Sequence, residues 1–193
     1  DLSEYVAQRT AAAGFETDGP ALLTGVEQQH ARRAVLDPVE ALVTAGLSNP
    51  ATLPPQGAAE SSTTTTADRT APDATEHHGT INIIVGTTRA LPPAALASLL
   101  AGVAEAKTAT LSHRTDFTGT TSDAVIVGSD PAGEPAQFVG SATTVGQAAR
   151  ACVRDGLTAA VDARYPDGEL PRSVADADYG AATTATATVS TPK

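Results

Sequence analysis

Two stretches of the chain carry side chains that could do chemistry. The segment Thr118-Gly119-Thr120-Thr121-Ser122-Asp123 sets hydroxyls, backbone N–H groups and one carboxylate in a short polar loop. Such a set can activate a nucleophile, move a proton and hold a developing oxyanion; it can equally be a helix-to-strand turn in which Asp123 caps backbone groups. Lys107 is the second feature. At about 100° per residue, Leu96, Leu99, Leu100, Val103 and Leu111 share one helical face, and Lys107 falls in its middle. A lysine there commonly lays its stem on apolar surface and reaches for water. The sharper reading is a lysine held at a site, with its proton affinity altered or its charge paired to a carboxylate. It stands out because Lys193 is the only other lysine among twelve basic residues. Glu105, two positions earlier, points to the other side of the helix. It reads as an exposed surface charge or, if buried, as a base, a proton donor or a cap.

Two amides are further candidates. Asn82 lies in an apolar run on the opposite face from Ile81 and Ile83, and Asn49 ends another run. A buried amide must find partners; each could serve a ligand or tie down a neighbouring loop. Metal chemistry is poorly supported, since His77 and His78 lie in a low-complexity stretch and no HExxH or HxxxH pattern occurs. The G-x-S-x-G elbow of serine hydrolases is absent as well. Cys152 sits in a buried helical stripe without His or Arg designed around it, which points to packing.

The elements that must position these groups follow in order. Leu2 to Gly14 reads as a short helix, Pro20 to Val26 as a strand, Glu27 to Val35 as a helical turn or connection, and Pro38 to Leu47 as a strand closed by Ser48-Asn49-Pro50. Ala51 to His78, with four consecutive threonines and almost no bulky apolar residue, reads as an inserted, solvated segment. Thr80 to Val85 predicts a strand, Pro92 to His113 a helix begun by proline, and Ala124 to Gly128 a second strand. Ser129 to Gly133 reads as a turn and Gln137 to Gly140 as a short returning strand. A helix capped by Thr143 or Thr144 runs to about Arg164, burying Val145, Ala149, Cys152, Val153 and Ala160, with Gly156 permitting close approach. Tyr165 to Gly180 is loop-like, and Ala182 to Ser190 alternates as an edge strand would. The fold class expected is α/β: a single domain over residues 1–193, with a mixed sheet of five or six strands flanked by two main helices and an insertion at 51–78.

At 193 residues such a chain buries about 70% of its unfolded surface. With three Phe, three Tyr and no Trp, the core must come from Ala, Val, Leu and Ile. The charge of −10, and ten Arg against two Lys, fits a salt-adapted protein and fits equally an ordinary acidic protein from a high-GC genome. Duplex nucleic acid is disfavoured as a partner, because it requires a basic face. One cysteine excludes an internal disulfide. No run looks long enough to span a membrane, no leader is visible, and the cytoplasm is the expected compartment. The absence of Met and the start at Asp1 suggest that a preceding segment belongs to the protein.

Several ordered pieces together carry a resemblance: Leu23-Thr24-Gly25-Val26, Val43 to Pro50, Gly79-Thr80-Ile81-Asn82-Ile83, Ala104-Glu105-Ala106-Lys107-Thr108, and the Thr118–Asp123 loop. In this order the chain, from about residue 22 to 164, resembles the adenosylcobinamide amidohydrolases of corrinoid salvage. The family loop reads T-G-T-G-T-D, whereas Thr121 and Ser122 replace its second Gly and third Thr here, and a family segment with Leu-Ser and Gly-Gly is not seen before the matching region. The resemblance implies hydrolysis of the amide that joins aminopropanol to the corrin ring, giving adenosylcobyric acid, with cobalt present only in the substrate and no cofactor of the protein's own. It implies catalytic roles for Glu105, Lys107 and Asp123, and substrate contacts from Asn49, Thr80, Asn82, Thr108, Thr120, Thr121 and Ser122. A non-catalytic corrinoid-binding module and a small-molecule amidase of other specificity are the alternatives; both catalytic readings require Lys107 and Asp123 to meet. A Thr or Ser nucleophile and a carboxylate-activated water stay equally open.

Overall fold

The structure is a computed structural model that describes residues 1–17, 19–55, 79–177 and 179–192. Its centre is a four-stranded sheet of order β1-β2-β4-β6, built from β1 (Arg32–Leu36), β2 (Val39–Ala45), β4 (Ile81–Ala90) and β6 (Ala124–Pro135). The first three strands pair antiparallel, and β4 pairs parallel with β6. A parallel pair needs a crossover, and α2 (Pro93–Ser112) supplies it. A smaller sheet of order β5-β3-β7 joins β3 (Pro50–Thr52), β5 (Gly119–Thr120) and β7 (Ala181–Ala182). The chain is therefore α/β, but the mixed sheet expected to have five or six strands is divided into four and three.

Because side chains alternate along a strand, Val39, Ala41, Val43 and Ala45 of β2 and Ile81, Ile83 and Val85 of β4 face one side and are buried. Both α2 and α3 (Thr144–Arg164) lie on that side. Thr143 caps α3 by accepting from Gly146 N at 3.1 Å, and the stripe Val145, Ala149, Cys152, Val153 and Ala160 is buried as its spacing predicts. Gly156 lets α3 approach the sheet, since a Cβ there would come 3.2 Å from Val43 Cγ2 and 3.4 Å from Ala34 Cβ. In α2 the buried stripe is Ala95, Leu99, Val103, Ala106, Thr110 and Leu111, while Leu100 turns outward. By length and composition α2 could cross a membrane, which the sequence reading did not expect; its apolar stripe instead packs in the core beside α3 and the sheet. An N-terminal helix, α1 (Leu2–Ala12), is capped by Asp1 and buries no residue.

Five expectations are corrected. Pro20–Val26 is not a strand: Thr24 Oγ1 accepts from Val26 N at 3.0 Å in a local turn, and the Leu23 carbonyl is taken by a side chain. Glu27–Val35 contains a 3₁₀ turn, Gln28–His30, and then enters β1. Ser129–Gly133 is no turn but the outer half of β6, and Gln137–Gly140 forms no strand. At the C-terminal end only Ala181–Ala182 pairs, and the alternating residues beyond are exposed. Ser48 and Asn49 bend the chain after β2, as their turn chemistry predicts, and Pro50 then opens β3. Of the stretch read as an insertion, Ala51 and Thr52 belong to β3 and residues 56–78, with His77 and His78, lie outside the described residues.

Candidate functional site

Where β4 and β6 begin and α2 nears its end, side-chain and backbone groups of α2, β5 and β4 converge on Asp123, which immediately precedes β6. Its Oδ2 pairs with Lys107 Nζ and accepts the Thr120 N–H at 3.1 Å. Its Oδ1 accepts the Thr120 hydroxyl at 2.5 Å and the Ile81 N–H at 3.2 Å. The carboxylate thus joins α2, β5, β4 and β6 at one point. Lys107 and Asp123 keep only 13% and 12% of their side-chain surface, so the pair is shielded from water without being sealed. The position of Lys107 on the apolar face explains this: its stem follows the helix surface and its ammonium emerges at the sheet's end.

Gly119 is required by the same arrangement. A Cβ at this position would stand 2.5 Å from Asp123 Oδ2 and 2.7 Å from Lys107 Nζ. The Thr-Gly-Thr pattern was legible in the sequence; that its glycine makes room for an ion pair was not, because the lysine arrives from another element.

The neighbouring candidates form a shell around the pair. Thr80 donates its hydroxyl to Ser122 O at 2.7 Å, and Ser122 Oγ reaches Gly79 O at 3.4 Å. Thr108 donates to Thr118 O at 3.3 Å. Asn49, 2% exposed, donates its side-chain amide to Thr121 Oγ1 at 2.5 Å, and its main-chain carbonyl accepts from Thr121 N at 3.1 Å. Its side-chain Oδ1 is buried without a partner among the described residues. Asn82 donates to Leu23 O at 2.7 Å, tying the segment before β1 to β4. Gly79 and Gly46 cross so closely that a Cβ on Gly79 would lie 2.6 Å from Gly46 O. Thr121 and Ser122 are exposed at the tip, whereas Thr120 is buried.

Nine of the ten expected site residues thus lie on or next to this end of the sheet. Glu105 does not. It sits two positions from Lys107 on the other side of α2, where its carboxylate pairs with Arg150 of α3 at 2.6 Å, two-thirds exposed. That pair lines a shallow cleft between α2 and the start of α3, with Val139, Gly140 and Gly146. Cys152 is buried, its thiol 3.7 Å from Val39 O, and burial pushes the thiol above its ordinary value. It packs, as its stripe predicted. Among the described residues no cluster of His, Cys, Asp and Glu could hold a metal ion.

A family model described as adenosylcobinamide amidohydrolase matches residues 1–169. A Halobacterium salinarum protein named adenosylcobinamide amidohydrolase is 51% identical, covering 98% of this chain and 78% of that protein. No solved structure matches.

Proposed function

We propose a mechanism from one premise: the chain belongs to the adenosylcobinamide amidohydrolase family. It is a hydrolase that acts on the amide joining aminopropanol to the corrin ring, releasing aminopropanol and leaving adenosylcobyric acid. The observation that carries the mechanism is a hydroxyl, a carboxylate and an ammonium in series: Thr120 Oγ1 on Asp123 Oδ1, and Lys107 on Asp123 Oδ2. A nucleophile in hydrogen-bond reach of a base, with the base oriented by a third group, is the arrangement acyl transfer requires.

In this reading Thr120 Oγ1 attacks the scissile carbonyl carbon and its proton passes to Asp123. Lys107 offsets the negative charge that builds nearby and donates the proton the leaving amine nitrogen needs as the C–N bond breaks. Asp123 then passes its proton to Lys107, which restores both groups. A water attacks the threonyl ester, and Asp123 takes its proton and returns it to Thr120 Oγ1 as the ester bond breaks and the corrin carboxylic acid departs. The altered loop tip supports this assignment, because the residues that depart from the family pattern, Thr121 and Ser122, are the exposed ones, while Thr120 and Asp123 are retained.

Incubation with adenosylcobinamide, followed by chromatography for adenosylcobyric acid, tests the activity. Thr120→Ser retains turnover and Thr120→Val loses it by at least about a hundredfold, the scale of nucleophile and base contributions. Thr120→Val turning over like the parent would remove Thr120 from the chemistry and leave a water activated by Asp123. The charge of −10 and the scarcity of lysine support a salt-adapted protein; its melting temperature then rises with added KCl, as self-repulsion is screened.

A further inference from the structure

Both main helices cover one face of the four-stranded sheet, and the opposite face is built for something else. Its residues form rows across the strands. Thr44, Asn82 and Ala124 are register partners nearest Asp123; Leu42, Ile84 and Ile126 form the next row; Glu40, Gly86 and Gly128 the third. Leu42 and Ile84 are 44% and 41% exposed. Gly86 and Gly128 lie side by side, yet a Cβ on either would meet nothing within 4 Å, and neither has a positive φ. Among the described residues, neither packing nor backbone conformation therefore requires glycine at these positions. A glycine inside a strand costs roughly 0.5–1 kcal/mol against alanine, and one explanation for it is a ligand that must approach closely.

At its Asn82 end the face reaches the strand ends that carry the candidate site. Asn82 Oδ1 lies 3.4 Å from Thr80 Oγ1, which holds Ser122 O in the loop carrying Thr120 and Asp123. Beside Asn82, Thr44 lies on the same face, buried, its hydroxyl without a hydrogen-bond partner among the described residues. From Asn82 to Gly86 the face extends roughly 13 Å, and from β2 to β6 about 10 Å.

We propose that this face seats the corrin ring, with Leu42, Ile84 and Ile126 beneath the macrocycle, Gly86 and Gly128 as its flat floor, and the buried Asn82 and Thr44 marking the end nearest Asp123. The inference rests on the function proposed above. A broad, nearly flat macrocycle needs an apolar plane without raised side chains. Its scissile side-chain amide would pass around the strand ends to Lys107 and Asp123, because Lys107 reaches Asp123 from the helix-covered side. A second copy of the sheet would fill such a face by interdigitating side chains and would not call for paired glycines.

Gly86→Val and Gly128→Val raise two walls on the floor while leaving the fold intact, because the added atoms enter open space and valine suits a strand. Two quantities are measured for each variant: the KM for adenosylcobinamide, and the Kd for adenosylcobyric acid by calorimetry. Both are expected to rise at least about tenfold, a change of about 1.4 kcal/mol, with kcat at saturation changing less than threefold and the melting temperature unchanged or higher. Unchanged KM and Kd in both variants would overturn the proposal. So would a parent dimer that the valines dissociate while corrinoid affinity is kept, as sedimentation would show. If the parent binds adenosylcobyric acid and the valines abolish binding, while no aminopropanol is ever released, the seat stands and the proposed reaction falls.

Discussion

The proposed mechanism gives Asp123 two roles, structural and catalytic, which a double-mutant cycle separates. The perturbation is a double-mutant cycle with Asp123→Asn, Lys107→Met and the pair combined. Asparagine at 123 keeps one acceptor oxygen but turns an NH2 group toward donors that the carboxylate now serves, the Thr120 and Ile81 N–H groups among them. It also leaves the Lys107 ammonium shielded and unpaired. Removing one partner of a buried pair costs about 3–5 kcal/mol. With side chains 13% and 12% exposed, water softens this, so about 3 kcal/mol is expected. In a domain of 150–250 residues each kcal/mol moves the melting temperature by about 2–4 °C, so a drop of about 6–12 °C follows. Lys107→Met strands the carboxylate and costs a similar amount. The double variant removes both charges and should recover at least about 1.5 kcal/mol of the summed loss. Thermal melts by circular dichroism give the stabilities, and turnover is assayed well below each melting temperature. If the pair works in catalysis, all three variants stay at least about a hundredfold slow, and the double variant, though more stable than the sum, recovers no activity. Activity that returns with stability would reduce Lys107 and Asp123 to a strut.

Three further outcomes follow. Gly119→Ala drives a methyl group into Asp123 Oδ2 and Lys107 Nζ; turnover should fall at least tenfold and the melting temperature by a few degrees, and full activity would mean that the pair can shift freely. Glu105→Gln breaks an exposed pair with Arg150, so kcat/KM should stay within about twofold and stability within about 1 kcal/mol; a large loss of kcat would restore Glu105 to the site. Burial raises the Cys152 thiol, so the stabilising contribution of this group is fully present below the unfolded thiol's value and is lost as pH rises through the folded one. Native protein should therefore resist thiol reagents near neutral pH and react only on unfolding, and rapid labelling of folded protein would contradict its burial.

How much of this was legible depended on whether the deciding partner lay nearby in sequence. Helix α3 announces itself through Thr143, its buried stripe and Gly156, all local signals. Lys107 was singled out by its place among leucines, and Asp123 by the loop before it. What was hidden in Asp123 is its structural share, because Ile81 N–H and Lys107 come from other elements. Strand β1 was missed because Arg32 and Arg33 look like a connection, yet an edge strand keeps such side chains near water. The outer half of β6 was misread because Asp130-Pro131-Ala132-Gly133 has turn chemistry. β6 is also an edge strand, where proline is tolerated. Gly133 is needed there because a Cβ would fall 2.0 Å from Thr88 O, at the register shift between β4 and β6. Glu105 was ranked with Lys107 by adjacency, and its partner Arg150 lies 45 positions away.

The most direct test of the central claim is a crystal structure of the inactive Lys107→Met/Asp123→Asn variant with adenosylcobinamide bound. The account predicts the scissile amide carbon about 3–3.5 Å from Thr120 Oγ1, the distance of a reacting pair, with residue 123 on the far side of that hydroxyl. An amide held elsewhere, such as in the cleft beside Glu105 and Arg150, with the Thr118–Asp123 loop untouched by substrate, would contradict it.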